Sequence, residues 1–185
     1  MLGDREELKT RLGITGTDYD TVLDNILLSA EKAVKNFLGR TYIQAPDEDI
    51  IEHQSGDGES QRIFTREYPI ISVSSLKIDN EEIPARTSLD DDGYVITDAE
   101  YGVIQLVGYY CTPGVNNIEI TYKPGWQNVP ADIIEAIYRI ATALWNHRDV
   151  VGLESQSVDG LSQKAVAVID KSIKQLLQPY RRIKI

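Results

Sequence analysis

Apolar residues recur at helical spacing in the first forty residues of the chain. Leu8 and Leu12 lie one turn apart, which predicts a short helix over about 4–12 that ends at Gly13. A longer apolar stripe predicts a second helix over about 17–38. That stripe comprises Val22, Leu23, Ile26, Leu27, Ala30, Val34, Phe37 and Leu38.

Between residues 41 and 128 the pattern changes to short alternating runs. The second half of segment 70–78 alternates apolar and polar residues, as a half-buried strand does. Segments 94–96, 102–107 and 117–122 are further predicted strands. Turn-forming pairs separate these runs: Asp57-Gly58, Asp79-Asn80, Asp92-Gly93, Pro113-Gly114 and Pro124-Gly125. Because 52–62 is polar and contains glycine, we expect a mobile loop there.

Helical spacing of apolar residues returns after residue 130. The helix is predicted to begin near Pro130, because proline suits the first turn of a helix. The predicted third helix extends to about His147, segment 151–162 is predicted as a loop, and a last helix ends at Pro179. The third helix has the stripe Ile133, Ile134, Ile137, Ile140, Ala141, Leu144 and Trp145, and the last has Val166, Ile169, Ile173, Leu176 and Leu177.

This order predicts an α+β fold: a helical bundle of about four helices with a β-rich insertion between the second and third helices. The two helical portions each have an apolar face, so we expect them to pack on each other. The predicted domains are a helical core over 1–40 and 129–178, a β-rich insertion over 41–128, and a basic C-terminal tail over 179–185.

Charge is unevenly distributed along the 185 residues, whose net charge is −10. Residues 131–185 hold eight Lys/Arg and six Asp/Glu, a net charge of +2, which leaves −12 for residues 1–130. The last fifteen residues contain five basic residues and no acidic one. An acidic body argues against general nucleic-acid binding, which depends on Lys and Arg contacts to phosphates.

No apolar run approaches the roughly 20 residues that span a bilayer, so no membrane partner is predicted. The N-terminal residues have no apolar signal core, and we expect the protein to be cytosolic where it is made.

The sequence predicts no enzyme, and no catalytic, cofactor-binding or metal-binding residues. Cys111 is the only cysteine and is interpreted as a buried or half-buried structural thiol. His147 is interpreted as a helix cap or surface residue rather than an acid–base group. The acidic run at 90–92 lacks the spacing of an EF-hand loop and is interpreted as a solvated turn. No phosphate-binding loop or nucleophile elbow occurs.

The aromatic residues are mostly tyrosine: ten Tyr against two Trp and two Phe. Tyrosine combines an apolar ring with a polar hydroxyl and is enriched in protein interfaces, although it is also an ordinary strand residue. Tyr109, Tyr110 and Trp126 are the predicted interface residues.

Several short segments stand out in order along nearly the whole chain. The first helices end in an aromatic-x-Gly-Arg pattern, Phe37-Leu38-Gly39-Arg40. The other segments are Leu8–Ile14, Asp20–Ala30, Ala33–Arg40, Tyr68–Val73, Ile120–Trp126 with Val129–Ile133, Trp145–Arg148 with Gly152–Ser157, and Gln178–Arg182. Together these segments resemble the head–tail connector (adaptor) proteins of long-tailed bacteriophages.

The resemblance implies a subunit of a virion neck ring, usually dodecameric, that docks on the portal protein and meets a downstream stopper or tail-completion protein. The isolated subunit can be a monomer, and DNA would pass through the ring without sequence-specific binding. The C-terminal segment would reach the portal. The predicted portal-docking residues are Tyr180, Arg181, Arg182, Ile183, Lys184 and Ile185. The alternatives are another neck component, such as a stopper, or a small enzyme of unknown type.

Overall fold

The structure, a computed structural model, describes residues 1–147 and 169–182. The predicted loop at 151–162 and Val166 of the last predicted helix lie outside these residues. The chain divides into two compact units. We call Met1–Thr41 with Val129–Ile185 the helical unit, and Tyr42–Asn128 the β unit.

The described part of the helical unit contains four α-helices. They are α1 (Arg5–Leu12), α2 (Asp20–Leu38), α3 (Ala131–Asn146) and α4 (Lys171–Leu177), which continues into a 3₁₀ turn over Gln178–Tyr180. Helix α1 begins at Asp4, whose carboxylate accepts a hydrogen bond from the Glu7 amide. It ends at Gly13, which has φ of 67°. The predicted helices α1, α2 and α3 are confirmed within a few residues at each end.

Helices α2 and α3 supply most of the buried surface of this unit, and α1 and α4 pack against α3. Their buried residues follow the predicted stripes: Leu23, Ile26, Leu27, Ala30, Val34 and Leu38 on α2, and Ile133, Ile137, Ile140, Ala141 and Leu144 on α3. Buried Lys9 joins α1 to α2 through an ion pair with Asp20, and it also pairs with Glu6 on α1 itself. No described helix is long and apolar enough to cross a bilayer.

The β unit contains two antiparallel sheets. The first has the order β1 (Ile50–Gly56), β7 (Gly114–Pro124), β3 (Ile70–Ile78) and β4 (Glu81–Glu82). The second has the order β2 (Arg62–Phe64), β6 (Val103–Val107) and β5 (Gly93–Asp98). Ile118, Ile120 and Tyr122 on β7 are buried and alternate with half-buried Glu119 and Thr121, as expected for a strand with one solvated face.

A polar network crosses the core of the β unit. The buried Tyr122 hydroxyl donates to Oε2 of Glu52 at 2.7 Å and accepts from the Glu67 amide at 3.2 Å. Oε2 of Glu52 also accepts from the Arg66 amide at 3.0 Å. Burial, followed by the Glu52 carboxylate, raises the pKa of Tyr122 far above its ordinary value. The hydroxyl therefore stays protonated and ties β1 to β7 and to the 65–67 turn.

The predicted fold class, a helical bundle with a β-rich insertion, is wrong. The described residues form a mixed fold with four helices and two antiparallel sheets of seven strands in all. The sheets enclose a separate hydrophobic core, whereas α1 and α4 are only eight and seven residues long. That core comprises Ile63, Ile70, Leu76, Ile78, Ile83, Tyr94, Ile104, Leu106, Cys111, Ile118, Ile120 and Tyr122.

The loop predicted at 52–62 is wrong over its first half, because residues 52–56 belong to β1; residues 57–61 connect β1 to β2, which begins at Arg62. Glu52, in the middle of β1, is only 6% exposed. A polar residue at a core-facing position interrupts the apolar pattern that would have marked the strand. Its burial is tolerated because tyrosine, glutamine and backbone donors satisfy the carboxylate.

Candidate functional site

The structure describes three of the six predicted portal-docking residues, and all three lie in the C-terminal segment of the helical unit. Helix α4 begins at Asp170, whose carboxylate accepts from the Ile173 amide at 2.8 Å. Buried Ile173 and Leu177 anchor α4. The following turn, with Pro179 in it, carries the chain to Tyr180, Arg181 and Arg182. Ile183, Lys184 and Ile185 lie outside the described residues.

Hydrogen bonds attach residues 180–182 to α2, to Arg40 just after α2, and to α3. Nε of Arg40 donates to the Tyr180 carbonyl at 2.8 Å, and the Arg182 amide donates to the Leu38 carbonyl at 2.8 Å. The Tyr180 hydroxyl donates to Oδ2 of Asp132, at the start of α3, at 3.0 Å. We call this set of contacts the C-terminal latch.

The guanidinium of Arg181 lies over the Phe37 ring, 5.7 Å from its centroid, and the residue is exposed. Arg182 is half-buried. The structure therefore brings Tyr180, Arg181 and Arg182 together at the C-terminal end of α2. A cation near the carbonyl end of a helix is electrostatically favourable, because that end carries the negative part of the helix dipole.

The three predicted interface residues lie in the β unit and differ in exposure. Tyr110 is 53% exposed, whereas Tyr109 is half-buried and packs against the core of the sheets. Trp126 is half-buried, and its backbone is bonded on both sides, to the Ile43 carbonyl at 2.8 Å and the Ala45 amide at 3.1 Å. Of the three, Tyr110 offers the most open aromatic surface.

Two exposed apolar residues were missed from the sequence: Leu89 is 90% exposed and Val115 is 86% exposed. Leu89 lies at the tip of a turn held by Asp91, whose carboxylate accepts from the Thr87 hydroxyl at 2.8 Å and the Ser88 amide at 2.9 Å. These bonds, that of Thr87 first, lower the pKa of Asp91. The Asp91 carboxylate thus stabilises a turn. The sequence signal that could have indicated the exposure of Leu89 is the run of acidic residues that follows it.

The described residues outside these surfaces offer little for chemistry. Within 1–147 and 169–182, no three His, Cys, Asp or Glu side chains cluster as metal ligands would. His147 is an exposed residue at the end of α3, and its amide donates to the Ala143 carbonyl. Cys111 is buried in the core of the sheets, and burial raises the pKa of its thiol to about 11.

We expect Cys111 to react slowly with iodoacetamide in the folded protein. At pH 8 its alkylation should be about a hundredfold slower than in guanidinium-unfolded chain, because both the thiolate fraction and access are reduced. The measurement is mass spectrometry of labelled protein over time, with the unfolded chain as control. The rate should rise with pH until about 11, the raised pKa. Equal rates in folded and unfolded protein would contradict a buried thiol.

The sequence profile of head completion proteins matches residues 2–183. The chain belongs to the head completion protein family. This membership confirms the predicted resemblance to phage connector proteins. It also confirms the predicted role as a structural subunit that joins head to tail. Comparison with curated protein sequences finds no match.

Three solved structures of similar fold are chains of gene transfer agent particles. In the neck of an empty particle, computed with C6 symmetry, the similar chain has a TM-score of 0.61 and 16% identity, covering 97% of this head completion protein and 89% of that chain. In the neck of a native particle, computed with C12 symmetry, the similar chain has a TM-score of 0.56 and 15% identity, covering 89% of this protein and 84% of that chain. A chain in the native virion has a TM-score of 0.56 and 16% identity, covering 92% of this protein and 81% of that chain.

Proposed function

We propose that this head completion protein forms a ring in the neck of a phage-like particle. One side of the ring docks on the portal protein, and the other meets a stopper or tail-completion protein. The family match over residues 2–183 carries this proposal. The similar folds found in necks computed with C6 and C12 symmetry support a ring of several subunits. The protein acts in the virion and assembles there from the host cytoplasm, as a structural rather than a catalytic component.

The C-terminal segment is the part that docks on the portal. Residues 171–185 of this segment contain five basic residues and no acidic one. Arg181 is exposed, and Arg182 lies beside it. Arginine forms bidentate hydrogen bonds with carboxylates, so this pair fits an acidic protein surface. Ile183, Lys184 and Ile185 follow in the sequence and are proposed to add apolar and basic contacts to the portal.

DNA passes through the ring without sequence-specific binding. The net charge of −12 over residues 1–130 supports this, because an acidic wall repels phosphate and disfavours lasting contacts. At physiological salt this repulsion extends only about 8 Å, so it acts close to the wall.

Contacts between neighbouring subunits would use the exposed aromatic Tyr110, together with Tyr109 and Trp126.

Reversing the charge of the docking pair should remove portal binding and leave the fold intact. We expect Arg181→Glu/Arg182→Glu to weaken binding to purified portal at least about a hundredfold, because two charge-assisted contacts become repulsive. Both backbones remain, so the Arg182–Leu38 bond is kept. Binding is measured by biolayer interferometry, and ring formation on the portal by negative-stain electron microscopy.

The matched control is Lys171→Glu/Lys174→Glu, which makes the same change of net charge at two exposed positions of α4. It should bind the portal nearly as well as the unmodified protein at physiological salt. Equal loss in both variants would contradict a specific docking pair and indicate a general charge effect. Normal binding by Arg181→Glu/Arg182→Glu would overturn docking through this segment.

A further inference from the structure

The end of α2 is completed by the C-terminal segment. Gly39 adopts φ of 68°, and the Gly39 and Arg40 amides donate to the Asn36 and Lys35 carbonyls, an ordinary helix ending. The Leu38 carbonyl instead accepts from the Arg182 amide, from the other end of the chain. Residue 182 is therefore held by the backbone of α2 and not only by α4.

Arg40 lies beneath this segment and is only 7% exposed. A guanidinium cannot lose its charge in a protein, so its burial requires acceptors. One of them is the Tyr180 carbonyl, 2.8 Å from Nε. This bond fixes the backbone one residue before Arg181.

Asp132 holds the same residue from α3, through the Tyr180 hydroxyl. The backbone around Arg181 is thus fixed on both sides, at Tyr180 and at Arg182, by partners on two helices. Arg181 lies between these points, with its guanidinium over Phe37 and exposed to solvent. The latch bonds are formed by backbone groups of residues 180 and 182 and by the Tyr180 hydroxyl, so the charged side chain of Arg181 stays exposed.

We infer that Arg40 is a positioning residue for docking. It holds residues 180–182 in their binding position before Arg181 and Arg182 meet an acidic partner surface. This inference rests on the proposed docking of the C-terminal segment. Ordering a free segment on binding costs affinity, and a segment held in its bound position avoids that cost. Arg40 itself need not touch the partner.

The first test is Arg40→Gln in the full chain, which keeps a donor but removes the charge and the fork of the guanidinium. We expect portal affinity to fall about tenfold, since the segment must then be ordered on binding. Trypsin should cut after Arg181 faster than in the unmodified protein. Asp20→Asn, which disturbs the Lys9 ion pair of the same unit, is the control for general destabilisation and should change neither readout.

A disulfide can replace the latch. A Cβ built on Gly39 lies 3.8 Å from Cβ of Arg182, which is the usual Cβ separation in a disulfide. Gly39→Cys/Arg182→Cys is therefore introduced together with Arg40→Gln and Cys111→Ser. Oxidised and reduced forms of this one protein share every substitution, including the strained cysteine at residue 39. We expect the oxidised form to bind the portal about tenfold more tightly, because the segment is again held in place.

Each outcome decides between the two proposals. If Arg181→Glu/Arg182→Glu abolishes binding and Arg40→Gln does not weaken it, the positioning role is overturned and docking stands. If oxidation does not tighten binding, positioning is also overturned, even where Arg40→Gln lowers stability. If neither set of variants changes portal binding, docking through this segment itself fails. Weakening by Arg40→Gln that oxidation reverses supports the inference.

Discussion

Replacing Glu52 with alanine is expected to lower the free energy of unfolding of the β unit by about 3 kcal/mol, because buried donors lose their acceptor. The Tyr122 hydroxyl is fully buried and donates to Glu52 at 2.7 Å. Nε2 of Gln54 and the Arg66 amide also donate to this carboxylate. Alanine satisfies none of them, and water has little access to the site.

Urea unfolding, followed by Trp126 fluorescence in a Trp145→Phe background, measures this change in the β unit. Glu119→Ala is the control, since Glu119 is half-buried on the solvated face of β7 and pairs with Lys77 at 2.8 Å. A partly exposed ion pair of this kind contributes at most about 1 kcal/mol. Similar losses in the two variants would contradict a special role for the buried network.

Gly56→Ala is expected to destabilise the β unit by about 3 kcal/mol or more, because the added methyl group meets backbone rather than a movable side chain. A Cβ at residue 56 would lie 1.9 Å from the Thr112 carbonyl oxygen. The Gly56 amide is also held by Oδ1 of Asn117 at 3.0 Å, so β1 cannot shift away without losing that bond.

Gly13→Ala separates this steric effect from the ordinary cost of losing a glycine. Gly13 has φ of 67°, but a Cβ there would meet no atom within 4 Å. We expect a loss of only about 1 kcal/mol from the backbone conformation. Thermal unfolding by circular dichroism compares the two variants, and unchanged stability of Gly56→Ala would show that β1 and residue 112 are not in contact.

Helical spacing in the sequence was sufficient for α2 and α3 because each has a continuous apolar stripe. Strand β1 could not be recognised in the same way. Its buried Glu52 is stabilised by Tyr122, seventy residues further along the chain. Local alternation does not contain that information. The share of the fold formed by the sheets was underestimated, because β1, β2 and β4 lack a clear alternation of apolar and polar residues.

The candidate site was visible only in part. The basic residues after residue 170 stand out in an acidic chain, so a docking tail could be predicted from charge. Its attachment could not, because Arg40 and Tyr180 are 140 residues apart in sequence. The arginine of the Phe37–Arg40 motif therefore had no assigned partner until the helices were placed together.

With the C-terminal segment docked on the portal as proposed, the latch would also set the path of mechanical load through the subunit. The latch bonds lie beyond α4, so a pull on the chain end reaches the Leu38 carbonyl and Tyr180 before it reaches the helix. Buried Ile173 and Leu177 stay shielded from that force while these bonds hold. Tension from a filled head would then pass directly into α2 and α3, the two longest helices described, rather than peeling α4 away turn by turn.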